Sequence, residues 1–241
     1  MKLSLKSIDF LPADRDNYII LLTAPLLLTI YYYNGRAGMF LHYFPSFNGT
    51  NYADIYSFYW QFGIFFLLMG MLPFLYLINK KKYFLKDVGL GIGDWKIGLF
   101  LVLLITPVII ALIWIASGMP SIQSEYPMLR SLLHDRSKFW PYEVAYLLFY
   151  YVSWEFYFRG FLLFSLAKKM GKVNALLIQT ALSCLVHLGK PEEETLGAIV
   201  VGVLFGWIAF NTRSIWYVFI LHACIGIFTD YFSLLHIGSS Y

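Results

Sequence analysis

The sequence predicts an all-α, polytopic membrane helix bundle of about seven transmembrane helices, and three observations carry that reading. Of its 241 residues, 59% are hydrophobic and 13% charged, against roughly 25% charged in a soluble globular domain. Several apolar runs reach the roughly 20 residues that a helix needs to cross the hydrocarbon core. The bases that give the net charge of +4 cluster beside those runs. Together these features exclude a disordered chain, a coiled coil and a nucleic-acid module. Cys184 and Cys224 both lie inside apolar runs and read as buried thiols, not as a disulfide framework.

Taken in order, residues 1–16 mix charged and apolar side chains without the continuous core of a signal peptide. They are expected to lie on the membrane surface. Residues 17–241 form one integral membrane domain. Its spans are expected at 17–34, 56–79, 95–118, 142–166, 173–188, 196–210 and 215–235. With the N-terminus inside, the inner segments hold 12 of the 18 Lys and Arg residues, so the positive-inside rule favours a cytoplasmic N-terminus and an outer C-terminus. The long outer loops at 35–55 and 119–141 carry Phe40, Tyr43, Phe44, Phe47 and Trp140, which places them at the interface. In the sixth span, Gly197, Gly202 and Gly206 allow a neighbouring helix to approach closely.

An ionisable residue inside a span is costly and is a functional hypothesis by default. Glu155 and Arg159 lie in the fourth span, His187 ends the fifth, and His222 and Asp230 lie in the seventh. Glu155 and Arg159, four residues apart, share a helix face and are expected to pair inside the bundle. His222 and Asp230, eight apart, also share a face. These groups on three helices read as one polar cavity, with His187 and His222 facing each other across it. A carboxylate beside an imidazole can deprotonate a water, and a second imidazole can donate to the oxyanion that forms. Two histidines and a carboxylate could instead hold zinc, but there is no HExxH and the histidines lie on different spans, so neither metal nor cofactor is assigned. Ser183 lies one turn before His187 with nothing else to support a serine nucleophile.

The string Glu155, Arg159 and Gly160, followed by His187 and then His222, resembles the CAAX protease and bacteriocin-processing (CPBP, or Abi) family over roughly 142–231. That family is similar to the type II CAAX prenyl endopeptidase. The resemblance implies a glutamic-type intramembrane protease in which glutamate and histidine activate water. Three positions depart from the family pattern: Trp154 replaces the first of two adjacent glutamates, Ser183 replaces a phenylalanine, and Gly226 replaces the Asn or Asp four residues after His222. Glu194, in the KPEEE string, is the expected replacement carboxylate, turned inward toward His187 while Glu192 and Glu193 face solvent. On this reading Glu155 or Glu194 acts with His187 on water. His222, aided by Asp230, stabilises the oxyanion, and Arg159 keeps Glu155 ionised.

The resemblance implies an endopeptidase of a bacterial inner membrane that acts on a membrane-associated peptide or protein, with the lipid bilayer and no nucleic acid as partner. The altered motif positions keep open a non-catalytic binding or immunity protein on the same fold. A proton-coupled transporter is a third reading, since buried Glu, His and Asp can form a relay, but the chain shows no inverted repeat.

Overall fold

A computed structural model describes residues 15–80 and 85–238. Residues 1–14 of the expected surface segment lie outside the described residues, and Arg15 and Asp16 already belong to the first helix. Seven long helices correspond to the seven expected spans: α1 Arg15–Gly35, α2 Ala53–Asn79, α3 Trp95–Ser117, α4 139–170, α5 Lys172–Leu185, α6 Glu192–Thr212 and α7 Trp216–Gly238. No strand forms among the described residues. The protein is an integral membrane helix bundle. Lipid allows this architecture because a helix satisfies its own backbone hydrogen bonds.

Five of the seven, α1, α2, α3, α6 and α7, are long and apolar enough to cross a membrane on composition alone. The other two differ for physical reasons. In α5 there are 14 helical residues, roughly 21 Å at 1.5 Å per residue, short of the 30 Å core. In α4 the polar groups point into protein, where neighbouring helices replace lipid: every residue from Ser153 to Leu163 is buried. By contrast, α3 buries only Gly98, Leu101 and Ser117, so that helix meets lipid along most of its length.

Sequence signals explain the helix ends and irregularities. Asp94 caps α3 by accepting from the Ile97 N–H at 3.1 Å. Gly171, at φ +80°, breaks α4 from α5 in a conformation that L side chains rarely adopt. Pro73 offers no N–H to the preceding turn, and α2 widens there to i→i+5 bonding over Phe66–Met71. The central α4 widens twice, at Tyr146–Tyr151 and Phe156–Leu162, on either side of the turn Val152–Glu155. Such wide turns recur at functional sites.

The glycine expectation holds at two of three positions. Thr180 of α5 packs against Gly202, and Leu176 and Gln179 pack against Gly206. Gln179 Nε2 donates to the Gly202 carbonyl at 2.9 Å. Gly197 faces open space and takes no part.

The loops at 35–55 and 119–141 are pinned together. Lys138 Nζ donates to the Asn51 carbonyl at 2.8 Å and pairs with Asp54 at 3.2 Å. The loop between α3 and α4 is latched to the start of α6 by Lys190 with Glu125 at 2.5 Å and by Ser121 with Glu193 at 3.2 Å. At the opposite end of the bundle, Lys80 pairs with Asp16 at 2.9 Å, joining the ends of α2 and α1.

Candidate active site

The site lies where α4 meets α7. Glu155 projects from the regular turn between the two wide ones and has no exposed surface. Its Oε1 accepts from His222 Nδ1 at 2.5 Å and lies 3.4 Å from an Arg159 amino nitrogen. The expected Glu155–Arg159 pair is present, but the shorter contact is to His222. The Arg159 guanidinium, 2% exposed, stands 5.7 Å from the Phe205 ring centroid, so an aromatic face provides the rest of its environment. Burial of this carboxylate beside a cation keeps the net charge of the pair near zero, which a low-dielectric interior requires.

His187 lies at the end of α5, and its Nδ1 is 2.9 Å from the Ser183 carbonyl. A carbonyl only accepts, so in the neutral ring Nδ1 carries the hydrogen and Nε2 is the bare nitrogen. The same logic applies to His222: its Nδ1 is held by the Glu155 carboxylate, which leaves Nε2 as the acceptor. Each imidazole therefore leaves its Nε2 as a basic nitrogen.

Between them stands Trp154. Its ring meets His187 at 5.3 Å and His222 at 5.9 Å between centroids, nearly perpendicular to both. The Trp154 indole thus touches both histidines. Phe65 and Tyr150 stack on Trp154 and hold it there. The other departure is filled in the same way. A side chain at Gly226 would collide with the Tyr151 hydroxyl, and the Tyr151 ring lies 4.5 Å from His222. The Trp154 and Tyr151 rings thus both pack against His222.

Two expected site residues lie elsewhere. Asp230 does not assist His222. Eight residues put them on one face but roughly 12 Å apart along the axis, and Asp230 instead accepts from the Met128 N–H at 3.3 Å and faces Glu143. Glu194 turns inward while Glu192 and Glu193 are exposed, but its partner is the Tyr126 hydroxyl, which donates at 2.9 Å. No hydrogen bond or ion pair among the described residues joins Glu194 to His187. Burial, and then the Glu194 carboxylate, push the Tyr126 phenol well above its usual range, so it stays a donor.

Sequence reasoning missed Glu143, Tyr126 and the packing roles of Trp154 and Tyr151. Glu143 stands near the start of the expected fourth span, three turns before Glu155, and its position inside that span was the available signal. Nothing in the spacing marks Tyr126. Among the described residues, no group of three or more His, Cys, Asp or Glu side chains gathers as a metal site.

Fold and site together define an intramembrane helix bundle with a carboxylate–imidazole pair buried at its centre. Residues 136–228 match the family described as Type II CAAX prenyl endopeptidase Rce1-like, the family to which the motif resemblance points. The match runs from just before α4 to just past Gly226 and contains Glu155, Arg159, His187, Glu194 and His222. Asp230 lies beyond it. No curated protein and no solved structure matches the chain.

Proposed function

We propose that the protein is an intramembrane endopeptidase that hydrolyses a peptide bond in a membrane-associated peptide or protein. The observation that carries this reading is the 2.5 Å contact between Glu155 Oε1 and His222 Nδ1, inside a segment that is Rce1-like. Glu155 fixes the His222 tautomer and stabilises the imidazolium that forms. His222 Nε2 takes a proton from water as its oxygen attacks the carbonyl carbon, then returns that proton to the leaving amine as the C–N bond breaks. The bare Nε2 of His187 accepts the water's other hydrogen and orients it. Arg159, one turn along α4, faces the same carboxylate oxygen at 3.4 Å. In this assignment Glu155 works with His222, and Glu194 acts outside the reacting centre by holding Tyr126.

The positive-inside count supports a cytoplasmic N-terminus in a bacterial inner membrane. A second reading, a non-catalytic binding protein, draws on one specific observation: the Trp154 indole stands between the two imidazoles.

The test is cleavage of a labelled library of membrane-anchored peptides by the purified chain in lipid, with His222→Ala as control. Cleavage lost in the variant supports the peptidase. Retention of peptide binding by a chain that cleaves no member of the library supports the second reading.

A further inference from the structure

A second carboxyl of α4 meets a second polar residue of α7, about three turns from Glu155. Glu143 has no exposed surface and Asp230 is 1% exposed. Their side chains face each other at hydrogen-bonding range. Ionised carboxylates are acceptors only, and no donor reaches either Glu143 oxygen or Asp230 Oδ2 among the described residues. The Met128 N–H serves only Asp230 Oδ1.

The groups facing the pair do not supply the missing charge. From α4 come the phenols of Tyr142 and Tyr146, and from the α3–α4 loop Tyr126 and Arg130. Lys190 approaches from the segment before α6. Arg130 is occupied by the carbonyls of Gln123, Ser124 and Tyr126, and Lys190 by Glu125. The Tyr142 hydroxyl is an independent sign that the site is incomplete. It is fully buried, feels both carboxyls electrostatically and finds no hydrogen-bond partner among the described residues. Two bare carboxylates in contact inside a membrane bundle would repel each other with neither cation free to neutralise them.

We propose that Glu143 and Asp230 form a proton-binding site that holds one proton between the two carboxyls and so closes the outer part of the α4–α7 seam. The bound proton turns one group from acceptor into donor, makes the contact a hydrogen bond and removes one of two buried charges. It also leaves an acceptor for the Tyr142 hydroxyl. Toward the Glu155 site, the Tyr146 and Tyr151 rings stack at 4.3 Å between centroids, and the Tyr151 ring meets His222 at 4.5 Å. The seam is therefore polar from the proton site to the Glu155–His222 contact. None of this depends on the chain being a peptidase.

The test is infrared spectroscopy of the full chain in lipid vesicles at neutral pH. The readout is the C=O stretching band of a protonated carboxyl, identified by its shift in D2O. The wild-type chain shows this band. Glu143→Gln loses one carboxyl equivalent of it, because the new amide donates to an ionised Asp230. The double variant Glu143→Gln/Asp230→Asn, which puts a neutral pair in the same shape, loses it as well. A wild-type spectrum without a protonated carboxyl band, or a double variant whose band is unchanged, overturns the proposal.

Discussion

The seam between α4 and α7 solves one problem twice. At its inner part the Glu155 carboxylate meets His222, with Arg159 one turn away. At its outer part Glu143 meets Asp230, with no ion pair to either among the described residues. In the first region a fixed cation makes the buried charge tolerable. In the second, by our proposal, a proton does. The difference teaches that a buried carboxyl is read from its neighbours and not from its own identity. The same residue type is a candidate base where an imidazole and a guanidinium face it, and a structural acid where only another carboxyl does.

The comparison breaks most directly at the charges. Arg159→Leu leaves Glu155 buried without its cation and should cost about 3–5 kcal/mol, the range for removing one partner of a buried pair. Adding Glu155→Gln should recover most of that loss, read as the unfolding midpoint in detergent. If the double variant is as damaged as the single, charge is not what the inner region balances.

Next in size is the packing between the two regions. A side chain at Gly226 meets the Tyr151 hydroxyl, so Gly226→Ala should destabilise by about 1–3 kcal/mol, the usual cost of overpacking. A Tyr151→Phe background should relieve part of it. An equal loss in both backgrounds would remove Tyr151 as the obstacle.

Glu143→Gln should be milder, below about 1 kcal/mol, because the amide supplies the hydrogen that the shared proton supplied. The contrast with Glu155→Gln, which strands Arg159, sharpens the comparison, and equal losses at the two positions would erase it. The smallest effect is expected at the loop latch. Lys190 and Glu125 are partly exposed, so Lys190→Ala should cost about 0.2–1 kcal/mol and less in high salt.

Much of this was legible in the sequence, for identifiable reasons. Apolar run length located the five helices long enough to cross a membrane because lipid imposes that length. The four-residue spacing of Glu155 and Arg159 predicted their contact because one helix sets it. Histidines in otherwise apolar spans pointed to a common site because each needs a polar partner. What failed was partner choice between helices. Asp230 shares a face with His222, but its height along the axis decides which residue of α4 it meets, and that height depends on how two antiparallel helices slide past each other. Trp154 and Gly226 read as losses because a motif names polar groups and is silent on the aromatic rings that fill the space. Glu194 was legible as inward-facing, but its partner Tyr126 comes from a loop whose path no periodicity encodes.

The central claim is that Glu155, paired with His222, is the working carboxylate. It is tested by measuring peptide cleavage by Glu155→Gln and Glu194→Gln side by side, with both proteins folded in lipid. The account predicts that Glu155→Gln loses on the order of 10²–10⁴ in rate, the usual contribution of general acid–base catalysis, and that Glu194→Gln retains most of the wild-type rate. Wild-type cleavage by Glu155→Gln, with loss in Glu194→Gln, would contradict it.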